Sequence, residues 1–289
     1  AAPLGERPPL LQHQSSDDRE NCHEGILYNG SRMKITAPYG YDEIVPLQKT
    51  HRVLLPAGNT PAFCRALNAI ALSIAEFTVA ARDYPIVFAS VDGAKSFAPV
   101  IVLGLEQATN LFVGEDGAWD RESYLPAFVR RYPFCISKLY VDGEPKSERV
   151  VCVAKAYVDA GGVELFDSRG PATPAWQDAV RLLAENEADL DRTAQMCAAL
   201  ARLQLLEPFS LQVMAPEAPQ VNLAGMYRVG EAKLRDLKPA SHKVLVNKGF
   251  MGLIYAHLHS LENFRRLAAR QSTRAAAAAA RQRGSSGTR

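Results

Sequence analysis

The chain has no apolar run long enough to span a bilayer. Its longest apolar-biased stretches, 66–81 and 98–105, are interrupted by Asn68 and Glu76 or are too short. The first twenty residues are rich in Pro, Gln, Ser and charge and contain no continuous apolar segment of the kind found in a secretory signal. Cysteine is scarce as well. Cys22, Cys64, Cys135, Cys152 and Cys197 are odd in number and widely spaced, which argues against a disulfide framework. Phe134-Cys135-Ile136 and Val151-Cys152-Val153 read instead as buried thiols in apolar strands. These absences predict a soluble protein of a reducing compartment, the cytoplasm, with export to the cell surface without a cleaved signal peptide as the alternative.

Local chemical signatures are missing too. There is no Gly-rich dinucleotide fingerprint after a strand, no P-loop, no H-E-x-x-H, no G-x-S-x-G elbow and no C-x-x-C. No cofactor or metal is therefore expected. An enzyme is not excluded, because catalytic groups converge from distant positions. His257 and His259, the nearest approach to a metal pair, are two apart in a predicted helix. That spacing points them about 200° apart, so one is expected to pack and the other to face water. Cys22-His23 lies in the N-terminal segment and carries less weight.

What is present is an ordinary globular composition, 47% hydrophobic and 22% charged, with an uneven charge distribution. Residues 263–289 carry seven arginines and no lysine or acid, leaving the preceding 262 residues at about −5 of the net +2. A nucleic-acid reading would rest on that end alone, which lacks interleaved aromatics; no nucleic-acid partner is expected.

Residues 1–32 are expected to form a disordered extension, with Met33 as the natural start, a single domain to follow over 33–269, and a low-complexity, solvated basic tail over 270–289. Strands are predicted over 43–55, 86–88, 99–105, 134–141, 150–157 and 163–166, with a hairpin between 110–113 and Trp119. Ser73 and Glu76 have capping-box spacing for a short helix ending before Pro85. Pro174 opens a helix of roughly 30 residues, about 45 Å long, ended by Pro208. Trp176, Leu183, Leu190 and Cys197 mark its apolar face, with Val180 and Ala194 beside them. A short strand pair near 210–213 and 225–229 and helices over 231–237, 241–248 and 250–269 complete the reading. Strands first and helices later predict an α+β fold, mainly antiparallel.

The candidate functional surface is W-D-R-E-S-Y-L-P-A-F-V-R-R-Y-P-F, 119–134. Arg130 and Arg131 beside Trp119, Tyr132 and other aromatics suit bidentate capture of a carboxylate or phosphate with ring stacking. The structural alternative is a core-finishing arginine paired with an acid. His51 and Arg52 join them as ligand- or partner-binding candidates, His51 as a general base or, equally, a packed strand histidine.

The runs I-V-P-L-Q-K-T-H-R (44–52), A-E-F-T-V-A-A-R-D-Y-P-I-V-F (75–88), L-G-L (103–105), N-L-F-V (110–113), Y-L-P-A-F-V-R-R-Y-P-F (124–134), V-E-L-F-D (163–167), L-A-G-M-Y-R-V-G-E-A-K-L (223–234) and I-Y-A-H-L-H-S-L (254–261) resemble the bacterial SapC family. The likeness runs in order over 41–267. It implies a surface-layer-related protein, or an accessory cytoplasmic one, and brings no established catalytic residues. Two expectations follow. One is a non-enzymatic accessory or structural protein acting through an unidentified protein partner. The other is an unrecognised enzyme or small-ligand binder using the Arg130/Arg131 region with His51 or Glu76.

Overall fold

In the computed structural model, which describes residues 26–28, 31–56, 58, 60–90, 93, 95–142, 144–213 and 221–286, two units interleave in sequence. Of the described residues, a hairpin unit takes those from Ile26 to Cys64 and Ala127–Asp191; a helical unit takes Arg65–Pro126 and those from Arg192 onward. Elements are numbered along the whole chain.

The hairpin unit is built by alternation. Strands β1 (Ile26–Tyr28), β2 (Ser31–Ile35) and β3 (Ile44–Pro46) join β8 (Phe134–Val141) and β9 (Glu144–Ala154) in an antiparallel sheet ordered β1-β2-β8-β9-β3. Phe134 pairs with Val153 and Cys135 with Cys152. Successive side chains point to opposite faces, so this register splits the apolar residues into two cores. Cys135 and Cys152 join Ile35, Tyr41 and Ile44 in one. Phe134 and Val153 join Val53, Leu165, Trp176 and Leu183 in the other. The last two come from the long helix α3 (Pro174–Arg202), of which Pro174–Asp191 belongs to this unit. A two-stranded ribbon of β4 (Arg52–Val53) and β10 (Val163–Glu164) and the single turn α2 (Ala127–Arg130) complete it.

The helical unit has a second antiparallel sheet, ordered β11-β12-β6-β7-β5, from β5 (Ala69–Ala71), β6 (Ile86–Ser90), β7 (Phe97–Val102), β11 (Leu206–Val213) and β12 (Val221–Val229). Ile86, Val87, Phe88 and Ala89 are all buried, so β6 is covered on both faces and reads as a continuous apolar run. The β11–β12 register slips between Phe209 and Leu211, opposite Gly225 at φ 81°, a bulge that glycine alone accepts without strain. Helices α1 (Phe77–Ala80), α4 (Glu231–Arg235), α5 (Pro239–Asn247), α6 (Phe250–Ser260) and α7 (Asn263–Ser286) complete the unit. The whole is α+β, and among the described residues no helix is long and apolar enough to cross a membrane.

Several expectations need correction. The strand expected over 43–55 is broken into β3 and β4, because His51 N–H donates to Gln48 O in a turn between them. The 110–119 hairpin is a single bridge, Val113 to Trp119, closed by Gly114 N–H to Ala118 O. Helix α3 stops at Arg202, and Pro208 lies in β11, an edge strand where a missing N–H is tolerated. Along α3, Trp176, Leu183 and Cys197 are buried and Leu190 is half-buried, but Val180 and Ala194 are exposed. Two residues before Met33, β2 begins at Ser31 and pairs with β1, Tyr28 opposing Ser31. Most of the rest of 1–32 lies outside the described residues.

The basic end differs most. Helix α7 continues past 269, and its side chains reach back to the loop after β7. Arg270 pairs with Asp120 at 2.6 Å and stacks 4.4 Å from the Phe112 centroid. Gln271 donates to Glu106, Arg274 to Asn110 O at 2.8 Å, and Arg281 pairs with Glu115. Burial works to raise the Asp120 pKa, but hydrogen bonds from Arg270, the Glu122 N–H and Ser123 hold it below the usual value.

Candidate functional site

The sequence-selected residues fall into three separate local structures. His51 and Arg52 belong to the β4–β10 ribbon. His51 is half-buried and its Nδ1 accepts from Gln48 N–H at 3.3 Å, within its own turn. Arg52 pairs with Glu164 across the ribbon and donates from Nε to Gly162 O at 3.0 Å. Arg130, Arg131 and Tyr132 end the α2 turn. Arg130 is exposed, while Arg131 is half-buried, with its guanidinium 5.1 Å from the Phe128 centroid and Nη1 donating to Asn186 Oδ1 at 3.2 Å. Tyr132 lies among Tyr41, Phe63 and Tyr157, with centroids 5.0, 5.3 and 5.0 Å away, and burial pushes its phenol upward. Trp119 belongs to the helical unit, buried beside Phe112, and donates from Nε1 to Tyr84 Oη at 3.1 Å.

Glu76 is a cap. Its Oε2 accepts from Ser73 N–H at 3.1 Å and from Ser73 Oγ at 2.8 Å, and its Oε1 from Tyr124 at 3.1 Å. The capping-box spacing was thus legible, although it opens a 3-10 turn before α1.

The His257 environment is the most consequential polar feature that sequence reasoning passed over. Strands β6 and β12 pair at Met226–Ala89 and Tyr227–Phe88, and the same register would next bring Val229 opposite Ile86. There the imidazole of His257 bridges the two strands. Its Nε2 accepts from Val229 N–H at 3.1 Å, and its Nδ1 lies 2.8 Å from Ile86 O. Accepting at Nε2 requires the Nδ1–H tautomer, which donates to Ile86. Ser260 Oγ accepts from Ile86 N–H at 2.9 Å and donates to His257 O, and Asn263 donates to Ala81 O and Tyr84 O. Positions 257 and 260 thus supply side chains to strand-end backbone groups that no ladder reaches, and 263 supplies one to the turn between α1 and β6. Burial lowers the His257 pKa to about 4, against the raising effect of the Ile86 carbonyl and with Arg228 adding to the lowering. His259 is exposed, as the two-residue spacing requires.

Open chemistry gathers elsewhere in the helical unit. A groove of about 860 Å³ lies at the end of α3, over the Leu203-Gln204 turn and the start of β11. Tyr227 opposes Phe88 and Ser90 opposes Phe97, so the pleat places all four on one sheet face. Phe97 and Tyr227 meet edge to face there, with centroids 4.9 Å apart and an interplanar angle of 70°, and both are half-buried. Lys95, Arg202 and Lys233 bring three cations to the groove, and among the described residues no carboxylate lines it. A smaller concavity of about 430 Å³ lies between α4 and the α5–α6 pair, lined by Glu231, Arg235, His242 and Tyr255 among others. Among the described residues, no group of three His, Cys, Asp or Glu is placed to hold a metal ion.

Comparison with curated proteins and with solved structures brought no match. A family model described as SapC matches residues 48–267, well over half of the chain and a span that includes the His257 bridge and the whole groove. The chain belongs to the SapC family.

Proposed function

We propose that this SapC-family chain is an accessory protein that holds a partner or ligand without transforming it. One observation carries the reading: the ionisable groups with the most disturbed protonation are locked into the fold and line neither groove. Tyr41 donates to Phe134 O, Tyr84 is held by Trp119 and Tyr124, His257 bridges two strands, and burial raises the thiols of Cys64 and Cys197. Perturbed groups of an active site would converge on a cavity instead. We place this holding role at the surface layer, as the resemblance to the family implies. The buried, unbridged thiols of Cys64, Cys135, Cys152 and Cys197 support work in a reducing cytoplasm.

A second reading, small-ligand binding at Arg131, has one observation in its favour. The half-buried guanidinium has a neutral partner in Asn186, and its Nε is buried without a hydrogen-bond partner.

The test is to purify the chain from its native host, identify what accompanies it and incubate the two together. Recovery of the companion unchanged, in a stable complex, is expected. Its conversion to a product overturns the holding role.

A further inference from the structure

We propose that the groove at the end of α3 binds an aromatic anion: a planar ring carrying a carboxylate or phosphate. The inference rests on reading the chain as a binding protein and adds the class of ligand and the groups that read it.

Charge comes first. Among the described residues, neither Lys95 nor Arg202 has an acid within ion-pair distance, and both are exposed. Lys233 lies 4.0 Å from Glu207 Oε2, but the other oxygen of Glu207 is held at 3.1 Å by Arg228 Nε, so one carboxylate is divided between two cations. The groove therefore presents a surplus of positive charge on half-apolar walls, where an anion is less screened than on an open surface. Arg202 also ends α3 with a planar fork suited to a carboxylate or a phosphate.

The ring follows from the floor. Ala198 and Ala201, one turn apart on α3, leave a shallow slot, and Leu203 and Leu206 continue it as an apolar surface. The Phe97–Tyr227 pair closes one side, and both residues keep part of their surface exposed. A third ring against that pair gains edge-to-face contact beyond simple area burial. A volume of about 860 Å³ falls within the usual small-molecule range. A hydrated inorganic anion would leave the aromatic wall uncovered, and a neutral ring would leave the three cations unanswered.

The experiment is a calorimetric titration of the full chain with phenyl phosphate, benzoate, inorganic phosphate, benzyl alcohol and a polyglutamate peptide. Arg202→Gln, Lys233→Gln and Tyr227→Leu are titrated alongside, with melting curves to confirm folding. Phenyl phosphate or benzoate is expected to bind saturably, at least about tenfold tighter than phosphate or benzyl alcohol, and more weakly as salt is raised. Arg202→Gln is expected to weaken that binding by about tenfold with its melting curve unchanged. Equal affinity for all the small probes, tighter binding of polyglutamate, or indifference to Arg202→Gln and Lys233→Gln overturns the proposal and leaves the holding role standing. Release of phenol from phenyl phosphate at a cation-dependent site does the reverse: the groove is then right and the non-catalytic reading wrong.

Discussion

The two units solve the same problem, an antiparallel sheet with buried faces, by different means. In the hairpin unit β8 and β9 form a long ladder with one register shift between Lys138 and Tyr140, and many of the unit's charged side chains pair at the surface: Arg52 with Glu164, Lys155 with Glu43, Arg149 with Glu187. In the helical unit β6 and β12 share only two paired positions before they part, among buried residues. Side chains from α6 and α7 then take over the strand ends. The first unit thus has polar support at its surface as well as inside, where Tyr41 donates to Phe134 O and Ser137 Oγ accepts from Thr36 N–H, whereas in the second the ends of β6 and β12 rest on buried side chains. An unmet buried backbone group costs about 1–3 kcal/mol, whereas an exposed ion pair contributes about 0–1 kcal/mol.

The largest expected effect follows directly. His257→Leu keeps the volume but leaves Val229 N–H and Ile86 C=O facing a hydrocarbon, and should cost about 3–4 kcal/mol. Arg52→Ala in the other unit, at a pair whose side chains are 43% and 59% exposed, should cost under about 1 kcal/mol. Urea unfolding of both variants measures the difference. Equal losses would break the contrast between the units.

Acid sharpens it. The folded pKa of His257, about 4, lies below its ordinary value of 6.5. As pH falls, the unfolded chain takes up this proton first, so stability present above 6.5 is lost down to about 4, and the loss then levels off. The gap corresponds to about 3 kcal/mol. The chemistry agrees with the sign: protonation turns the Nε2 acceptor into a donor facing the Val229 N–H. Asp120, whose pKa is lowered, contributes in a different window, with stability held above 3.8 and lost below it. Urea midpoints at pH 7 and pH 4.5 should therefore differ in the native chain and differ much less in His257→Leu. An unchanged slope in the variant would assign the acid sensitivity elsewhere.

The same contrast explains what could be read from the sequence. Strand β8 is legible residue for residue, because Phe134-Cys135-Ile136 alternates between two cores and Asp142 follows its last residue. The start of α3 was legible from Pro174. Its buried line was not fully so, because Asn186 and Thr193 occupy it. Asn186 receives Arg131, and Thr193 Oγ1 accepts from Ile74 N–H at 2.8 Å. An apolar search passes over such positions. His257, Ser260 and Asn263 stood inside or beside a recognisable run, yet their role depends on where β6 and β12 diverge, which no local pattern encodes. The groove was illegible for the same reason: Lys95, Arg202 and Lys233 come from three distant points and meet only through the sheet order.

The smallest effect tests whether the hairpin unit contains anything like the His257 arrangement. Beside the neutral Tyr41–Phe134 and Ser137–Thr36 hydrogen bonds it holds a charged case, Arg131, which sets a half-buried charge against a neutral amide and an aromatic face. Neighbouring Arg130 ends the same turn and is exposed. Arg131→Ala removes the Asn186 hydrogen bond and the Phe128 stack and should cost about 1–2 kcal/mol. Arg130→Ala should stay within about 0.5 kcal/mol. Arg131→Lys restores the charge but not the planar fork, so it should recover less than half of the loss. Full recovery by lysine would mean that Arg131 acts as a bare charge, in which case the hairpin unit has no internal polar support at α2 and the two units differ even more than their hydrogen bonds suggest.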